Sequence, residues 1–183
     1  IIGATGNVGR KTIDVLEKSK LDIDQLFLVA SSNSSGKKIK FKGKDLTVVA
    51  LENFDFKNAD ITFFAAGSSI AEKYAKNASK KTIVIDNSKF FRMDKDVPLI
   101  VPEVNSEDIK KHKNIIANPN CSTIQMVLAL NPLHKNFNIK RVVVSTYQAV
   151  SGAGKAAIDE LVSQTKDFLD KKKFKSKNFT KQI

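Results

Sequence analysis

Short apolar runs recur along this chain, each separated from the next by a stretch of helical periodicity. That succession constrains the architecture more than any other feature. Leu26-Phe27-Leu28-Val29-Ala30 is uninterrupted, and residues 61–65 and 82–85 are apolar nearly throughout. Strands of that composition are buried on both faces, as they are in parallel sheets. Residues 6–19, with Val8, Thr12, Val15 and Leu16 on one face, read as a loop and helix, and residues 70–78 as a second helix. Residues 38–50 alternate around Gly43 as a small hairpin, and 99–101 and 114–117 are shorter strands. The alternation predicts an α/β fold with a doubly wound parallel sheet. Ligands of such sheets sit at the carboxyl ends of the strands.

A helix over 122–133, a strand over 140–147 and a long amphipathic helix over 152–169 follow. They do not close a core by themselves. We therefore expect a first domain over 1–121 and the beginning of a second, α+β domain over 122–183, continuing past Ile183. The chain opens on Ile1-Ile2, too short for the strand that should precede the loop at Gly3, so earlier residues are expected as well.

That loop reads Gly3-Ala4-Thr5-Gly6-Asn7-Val8-Gly9. Three glycines at this spacing, between a strand and an amphipathic helix, permit a tight turn. They also let the backbone approach a pyrophosphate resting on the helix N-terminus. The first domain is thus expected to be a Rossmann-like dinucleotide-binding domain. An NAD site usually places a carboxylate after the second strand, to bond the ribose 2′-OH. Here that loop is Ser31-Ser32-Asn33-Ser34-Ser35-Gly36-Lys37-Lys38. It has no carboxylate to repel a 2′-phosphate, and its hydroxyls and lysines could bind one. Ser31, Asn33 and Ser34 become candidate cofactor contacts and NADP the expected cofactor.

Cys121, the one cysteine, lies in Asn118-Pro119-Asn120-Cys121-Ser122-Thr123 just ahead of the third helical run. The N–H groups and positive dipole of a helix start favour negative charge on a sulfur placed there. A nucleophilic thiol beside a nicotinamide pocket points to oxidation or reduction of an aldehyde through a thioester. A helix end supplies only about 0.3–1 kcal/mol of such stabilisation, so a basic partner is also required. His112 and His134 read as ordinary surface or helix-end residues.

The net charge of +12 would suggest nucleic acid, but arginine occurs only at positions 10, 92 and 141. The scattered lysines describe a solvated surface, so no nucleic-acid partner is expected. No apolar run is long enough to span a membrane, and no secretory pattern opens the chain. A lone cysteine suits a reducing compartment. We expect a cytoplasmic protein without a metal site.

Five motifs occur in an order that resembles the aspartate-semialdehyde dehydrogenase family. They are residues 3–9, Asp86-Asn87-Ser88 with Phe91-Arg92-Met93, Val101-Pro102-Glu103-Val104-Asn105, residues 118–123, and Gln148-Ala149-Val150-Ser151-Gly152-Ala153-Gly154. The resemblance spans essentially the whole chain. It implies NADP- and phosphate-dependent interconversion of aspartate 4-semialdehyde and aspartyl phosphate in amino-acid biosynthesis. The second domain is then a catalytic and dimerisation domain, and the full-length protein a homo-oligomer. Position by position, Cys121 corresponds to the nucleophile, Asn120 to the asparagine preceding it and Gln148 to a substrate contact. Arg92 corresponds to the arginine that grips substrate phosphate. Thr5, Gly6, Asn7 and Val8 lie on the pyrophosphate, Ala66, Gly67 and Ser68 line the nucleotide cleft, and Ser151 and Gly152 lie near the nicotinamide. Two departures stand out. The family often has arginine where this chain has Asn33, and its acid/base histidine lies beyond Ile183, so the chain alone is expected to be inactive. The alternatives are an N-acetylglutamyl-phosphate reductase, whose cysteine usually follows Asn-Pro-Gly, and a non-catalytic nucleotide-binding fragment. A glyceraldehyde-phosphate dehydrogenase has a different cysteine motif.

Overall fold

The computed structural model describes residues 1–173 and 176–180. The chain forms two compact units, Ile1–Val143 and Val144–Ile183. In the first, helix α1 (Asn7–Lys18) follows the opening residues, then strand β1 (Val29–Ala30), hairpin strands β2 (Lys38–Phe41) and β3 (Lys44–Thr47), and β4 (Val49–Ala50). Next come β5 (Ile61–Phe64), helix α2 (Ser68–Ala78), β6 (Ile83–Asp86), the short α3 (Pro102–Asn105), β7 (Ile115–Ala117) and α4 (Cys121–Phe137).

The main sheet is parallel. β4 pairs with β1, β5 with β6, and β6 with β7. Ile2 bridges β1 at Val29 and β5 at Phe64, and Leu99 bridges Ala117 at the far edge. The opening residues therefore form the central strand. Chain order places successive strands outward to one side of Ile2 and then, from β5, to the other, with a switch point between Ile2 and β5. Neighbouring residues send side chains to opposite faces. Ile2, Val29 and Phe64 join a core with Ala71 and Ala75 of α2, while Ile1, Leu28 and Ala30 join another with Ile13 and Leu16 of α1. That is the double winding read from the apolar runs. The hairpin turns at Lys42 and Gly43, both at positive φ, as a two-residue turn between twisted strands requires.

Five elements differ from expectation. Of residues 26–30 only Val29–Ala30 is strand, and of 99–101 only Leu99 bridges the sheet. α1 turns Gly9, Ile13 and Leu16 inward, leaving Val8 and Val15 52% and 57% exposed. The helix start sits so close to the backbone of Gly3 and Ala4 that a glycine, not Val8, occupies the contact. The alternation of 38–50 is not all hairpin, because Val49 and Ala50 leave it to pair with β1. Residues 140–147 form no strand, and Val143, Val144 and Tyr147 are exposed. A strand needs a partner for its N–H and C=O groups, and among the described residues none pairs with this segment.

In the second unit a 3₁₀ turn (Val150–Ala153) leads into α5 (Lys155–Leu169). Glu160 of α5 is buried by residues that return over it. It accepts the N–H groups of Lys177 at 2.8 Å and Asn178 at 2.6 Å, and side-chain N–H groups of Asn178 and Gln164. Burial pushes the Glu160 carboxyl up, but these donors outweigh it and hold it below the usual carboxylate range.

Candidate functional site

The loops after Ile2, β1, β5, β6 and β7 all leave the first unit's parallel sheet at its carboxyl edge. The glycine loop follows Ile2. Gly3 has φ +84°, and a Cβ on it would stand 2.6 Å from the carbonyl oxygen of Ala65 and 3.0 Å from Cα of Ala66. Only glycine lets the loops after Ile2 and β5 approach this closely. Gly9 is confined from the other side, since its Cβ would lie 2.2 Å from the Gly3 carbonyl oxygen. The same carbonyl accepts the Gly6 N–H at 3.0 Å. Gly6 caps α1 without a side chain, and the first turn carries no acid. The N–H groups at this helix start thus meet no carboxylate from their own first turn, and the backbone cradle suits a dinucleotide pyrophosphate.

The loops after β1 and β5 complete that side. Thr5 Oγ1 donates to Ser34 Oγ at 3.5 Å, joining the glycine loop to the serine-rich loop. Ser31, Asn33, Lys37 and Lys38 are exposed in the latter, and no carboxylate occurs in it. Ala66, Gly67 and Ser68 carry the chain from β5 into α2, whose cap Gly67 has φ +87°.

β6 and β7 present the second group. Asp86 ends β6 fully buried, its carboxylate accepting the Ser88 N–H at 3.0 Å and the Ser88 hydroxyl at 2.7 Å. Burial pushes its carboxyl up, against the pull of Ser88 and the Arg92 charge. Arg92 is half-buried, donating from Nε to the Asn118 carbonyl at 2.8 Å and from Nη2 to the Asn87 carbonyl at 3.1 Å. Three residues past Asn118, Cys121 is exposed at the first position of α4. Asn120 caps that helix, its Oδ1 accepting the Thr123 N–H at 2.7 Å. This hydrogen bond fixes where the helix, and hence the sulfur, begins.

Cys121, Asn120, Arg92 and the candidate residues of the three nucleotide loops therefore share one edge of the sheet. Gln148, Ser151 and Gly152 belong to the second unit. There a Cβ on Gly152 would stand 1.9 Å from Gln148 Nε2, so that turn has room for Gln148 only because position 152 lacks a side chain. His134 lies in the last turn of α4, and His112 Nδ1 accepts the Asn114 N–H at the end of a 3₁₀ turn. Among the described residues, no three His, Cys, Asp or Glu side chains cluster as a metal site, and no helix is long and apolar enough to cross a membrane.

Sequence reasoning assigned no role to Asn87 or Asn118, although both stand in motifs it singled out. Asn118 Nδ2 donates to Asn87 Oδ1, and the Asn118 N–H donates to the Asp86 carbonyl at 2.9 Å. Asp86 pairs with Ala117, so the two asparagines lie one step beyond paired strand ends. Two amide side chains directly after adjacent buried strands were the available signal.

Residues 1–112 match the family model for the semialdehyde dehydrogenase NAD binding domain, and residues 130–183 that for the semialdehyde dehydrogenase dimerisation domain. Aspartate-semialdehyde dehydrogenase of Aquifex aeolicus is 55% identical across 100% of this chain and 55% of its own length. The Bacillus subtilis protein of that name is 49% identical over 93% of this chain and 50% of its own. Among solved structures, Vibrio cholerae aspartate semialdehyde dehydrogenase II complexed with ASA superposes with TM-score 0.94 and 46% identity, over 100% of this chain and 55% of the other. The Candida albicans enzyme with NADP gives TM-score 0.65 and 31% identity, over 75% of this chain and 46% of its own. The chain spans about half the length of the curated relatives it matches.

Proposed function

The chain belongs to the semialdehyde dehydrogenase family, and on that premise we propose that it is the nucleotide- and thiol-bearing part of an aspartate-semialdehyde dehydrogenase. The whole protein interconverts aspartate 4-semialdehyde and aspartyl phosphate, using NADP and phosphate, in the biosynthesis of aspartate-derived amino acids such as lysine, threonine and methionine. It works in the cytoplasm as a homo-oligomer. Residues 1–121 form the nucleotide domain and 122–183 the start of the catalytic and dimerisation domain.

The observation that carries this reading is the shared edge: a backbone cradle for a dinucleotide, an arginine and an exposed helix-start thiol, all on loops at the carboxyl ends of one parallel sheet. The cradle of residues 3–9 holds pyrophosphate, with residues 66–68 along the cleft. Hydroxyls of Ser31 and Ser34, the Asn33 amide and the nearby lysines face the 2′-phosphate. When bound, the nicotinamide supplies or accepts the hydride. Cys121 adds as thiolate to the aldehyde carbon and, once that carbon is oxidised, holds the acyl group as a thioester. Phosphate then breaks the C–S bond and releases the thiolate. Arg92 grips that phosphate through its planar fork, Gln148 orients the substrate, and Asn120 keeps the sulfur at the helix start. The relatives' names support this substrate over N-acetylglutamyl phosphate.

The test compares the full-length protein with its Cys121→Ala variant. Phosphate-dependent NADP reduction by aspartate semialdehyde is expected from the first only, with NADPH binding intact in both. Undiminished turnover by Cys121→Ala refutes the reading.

A further inference from the structure

Arg92 is fixed in place by the ends of two strands. Its guanidinium has five N–H donors, and the carbonyls of Asn118 and Asn87 take one each, through Nε and Nη2. No other acceptor among the described residues takes the two hydrogens of Nη1 or the second of Nη2. Among the described residues, no carboxylate forms an ion pair with Arg92. The nearby Asp86 carboxylate is turned into its own Ser88 turn instead. The positive charge is therefore oriented but not neutralised by contact.

The two carbonyls that orient it sit on separate loops, after β7 and after β6. They are tied by one side-chain contact, the Asn118 Nδ2 donation to Asn87 Oδ1. Backbone bonds anchor the base of the same unit, Asn87 N–H to the Phe64 carbonyl at 3.0 Å and Asn118 N–H to that of Asp86 at 2.9 Å. Neither asparagine side chain is hydrogen-bonded to Arg92 itself. We propose that the Asn87–Asn118 amide pair is a positioning element, locking the loops after β6 and β7 so that their carbonyls hold the Arg92 fork ready for phosphate. This rests on the reading of Arg92 as the phosphate-gripping residue.

The experiment uses the full-length protein, with inorganic phosphate as the varied substrate in the direction of NADP reduction. The variants are Asn118→Ala, Asn87→Ala, Arg92→Ala and the Asn118→Ala/Arg92→Ala double. Loss of one net hydrogen bond's worth of positioning predicts a phosphate KM raised about three- to tenfold by either asparagine change. The KM for NADP and the kcat at saturating phosphate should stay within about twofold. Arg92→Ala should raise the phosphate KM further, and adding Asn118→Ala to it should do nothing more. An unchanged phosphate KM in both asparagine variants, with a raised one in Arg92→Ala, overturns the positioning role and leaves the Arg92 reading standing. An equal asparagine effect with and without Arg92 overturns it too, because the amide pair then acts by another route. An unchanged phosphate KM in Arg92→Ala removes both. If Asn118→Ala does not fold, Asn87→Ala, alone and combined with Arg92→Ala, decides.

Discussion

Replacing Gly9 by alanine sets helix propensity against close packing, and the structure says which wins. Gly9 lies in the first turn of α1 with no unusual backbone demand, so propensity alone favours alanine by about 1 kcal/mol. The added Cβ would stand 2.2 Å from the Gly3 carbonyl oxygen and 2.8 Å from Cα of Ala4, where ordinary contact is 3.4–4 Å. The start of α1 must then retreat by about 1 Å from the loop. Both obstacles are main chain, so no side chain can swing away. Overpacking of this kind costs roughly 1–3 kcal/mol. The rigid neighbours put Gly9→Ala at the upper end, for a net loss of about 1–2 kcal/mol after the propensity gain. The retreat also moves the N–H groups of α1 relative to the pyrophosphate, so NADPH affinity should fall at least about tenfold, the equivalent of 1.4 kcal/mol. Urea unfolding followed by circular dichroism reads the stability, and an NADPH fluorescence titration reads the affinity. Gly6→Ala is the control. Its Cβ would meet the same oxygen at 3.3 Å, so it should disturb the loop less. A Gly9→Ala protein that is more stable than its parent and binds NADPH unchanged would refute the packing argument.

Three further outcomes follow from the same geometry. Arg92→Lys, which swaps a two-pronged donor for a point charge, should raise the phosphate KM about tenfold or more while NADPH affinity stays within about twofold; steady-state kinetics and a binding titration check it. Asn120→Ala removes the side-chain cap that accepts the Thr123 N–H and should lower stability by about 1 kcal/mol, and a urea midpoint unchanged from the parent would contradict it. Glu160 is held below its ordinary value of 4.5 by its donors. The folded chain therefore binds that proton less readily than the unfolded one. The stabilisation is complete above pH 4.5 and is lost as pH falls through the lowered folded value. Exchange of the Lys177 and Asn178 amides should accelerate below pH 4.5 relative to its intrinsic rate, and Glu160→Gln should remove that dependence.

The double-wound sheet was legible because burial on both faces leaves a direct trace in composition: 61–65 gave nearly its full strand, and 26–30 marked the place of β1 although only Val29 and Ala30 form it. The positions of the glycine loop, Arg92 and Cys121 were legible for the same reason, since each follows such a run. The inward face of α1 was not. A helical count favours Val8 and Val15, whereas the glycine loop selects Gly9 by the absence of a side chain, a steric fact visible only once Gly3 and Ala4 are in place. Residues 140–147 alternate like a strand, yet alternation describes a surface and does not supply the neighbour that a strand pairs with. The Asn87–Asn118 tie escaped because it depends on the register of Asp86 with Ala117, and register across parallel strands joined by a long crossover leaves no local pattern.

The central claim is that the Cys121 sulfur carries the acyl group. It is tested most directly by incubating the full-length protein with aspartate semialdehyde and NADP in the absence of phosphate, quenching in acid and mapping peptides by mass spectrometry. An aspartyl thioester is expected on the peptide containing Cys121, discharged when phosphate is added before the quench and absent from Cys121→Ala. NADP reduction with no adduct on that peptide, or with the acyl group on another residue, would contradict it.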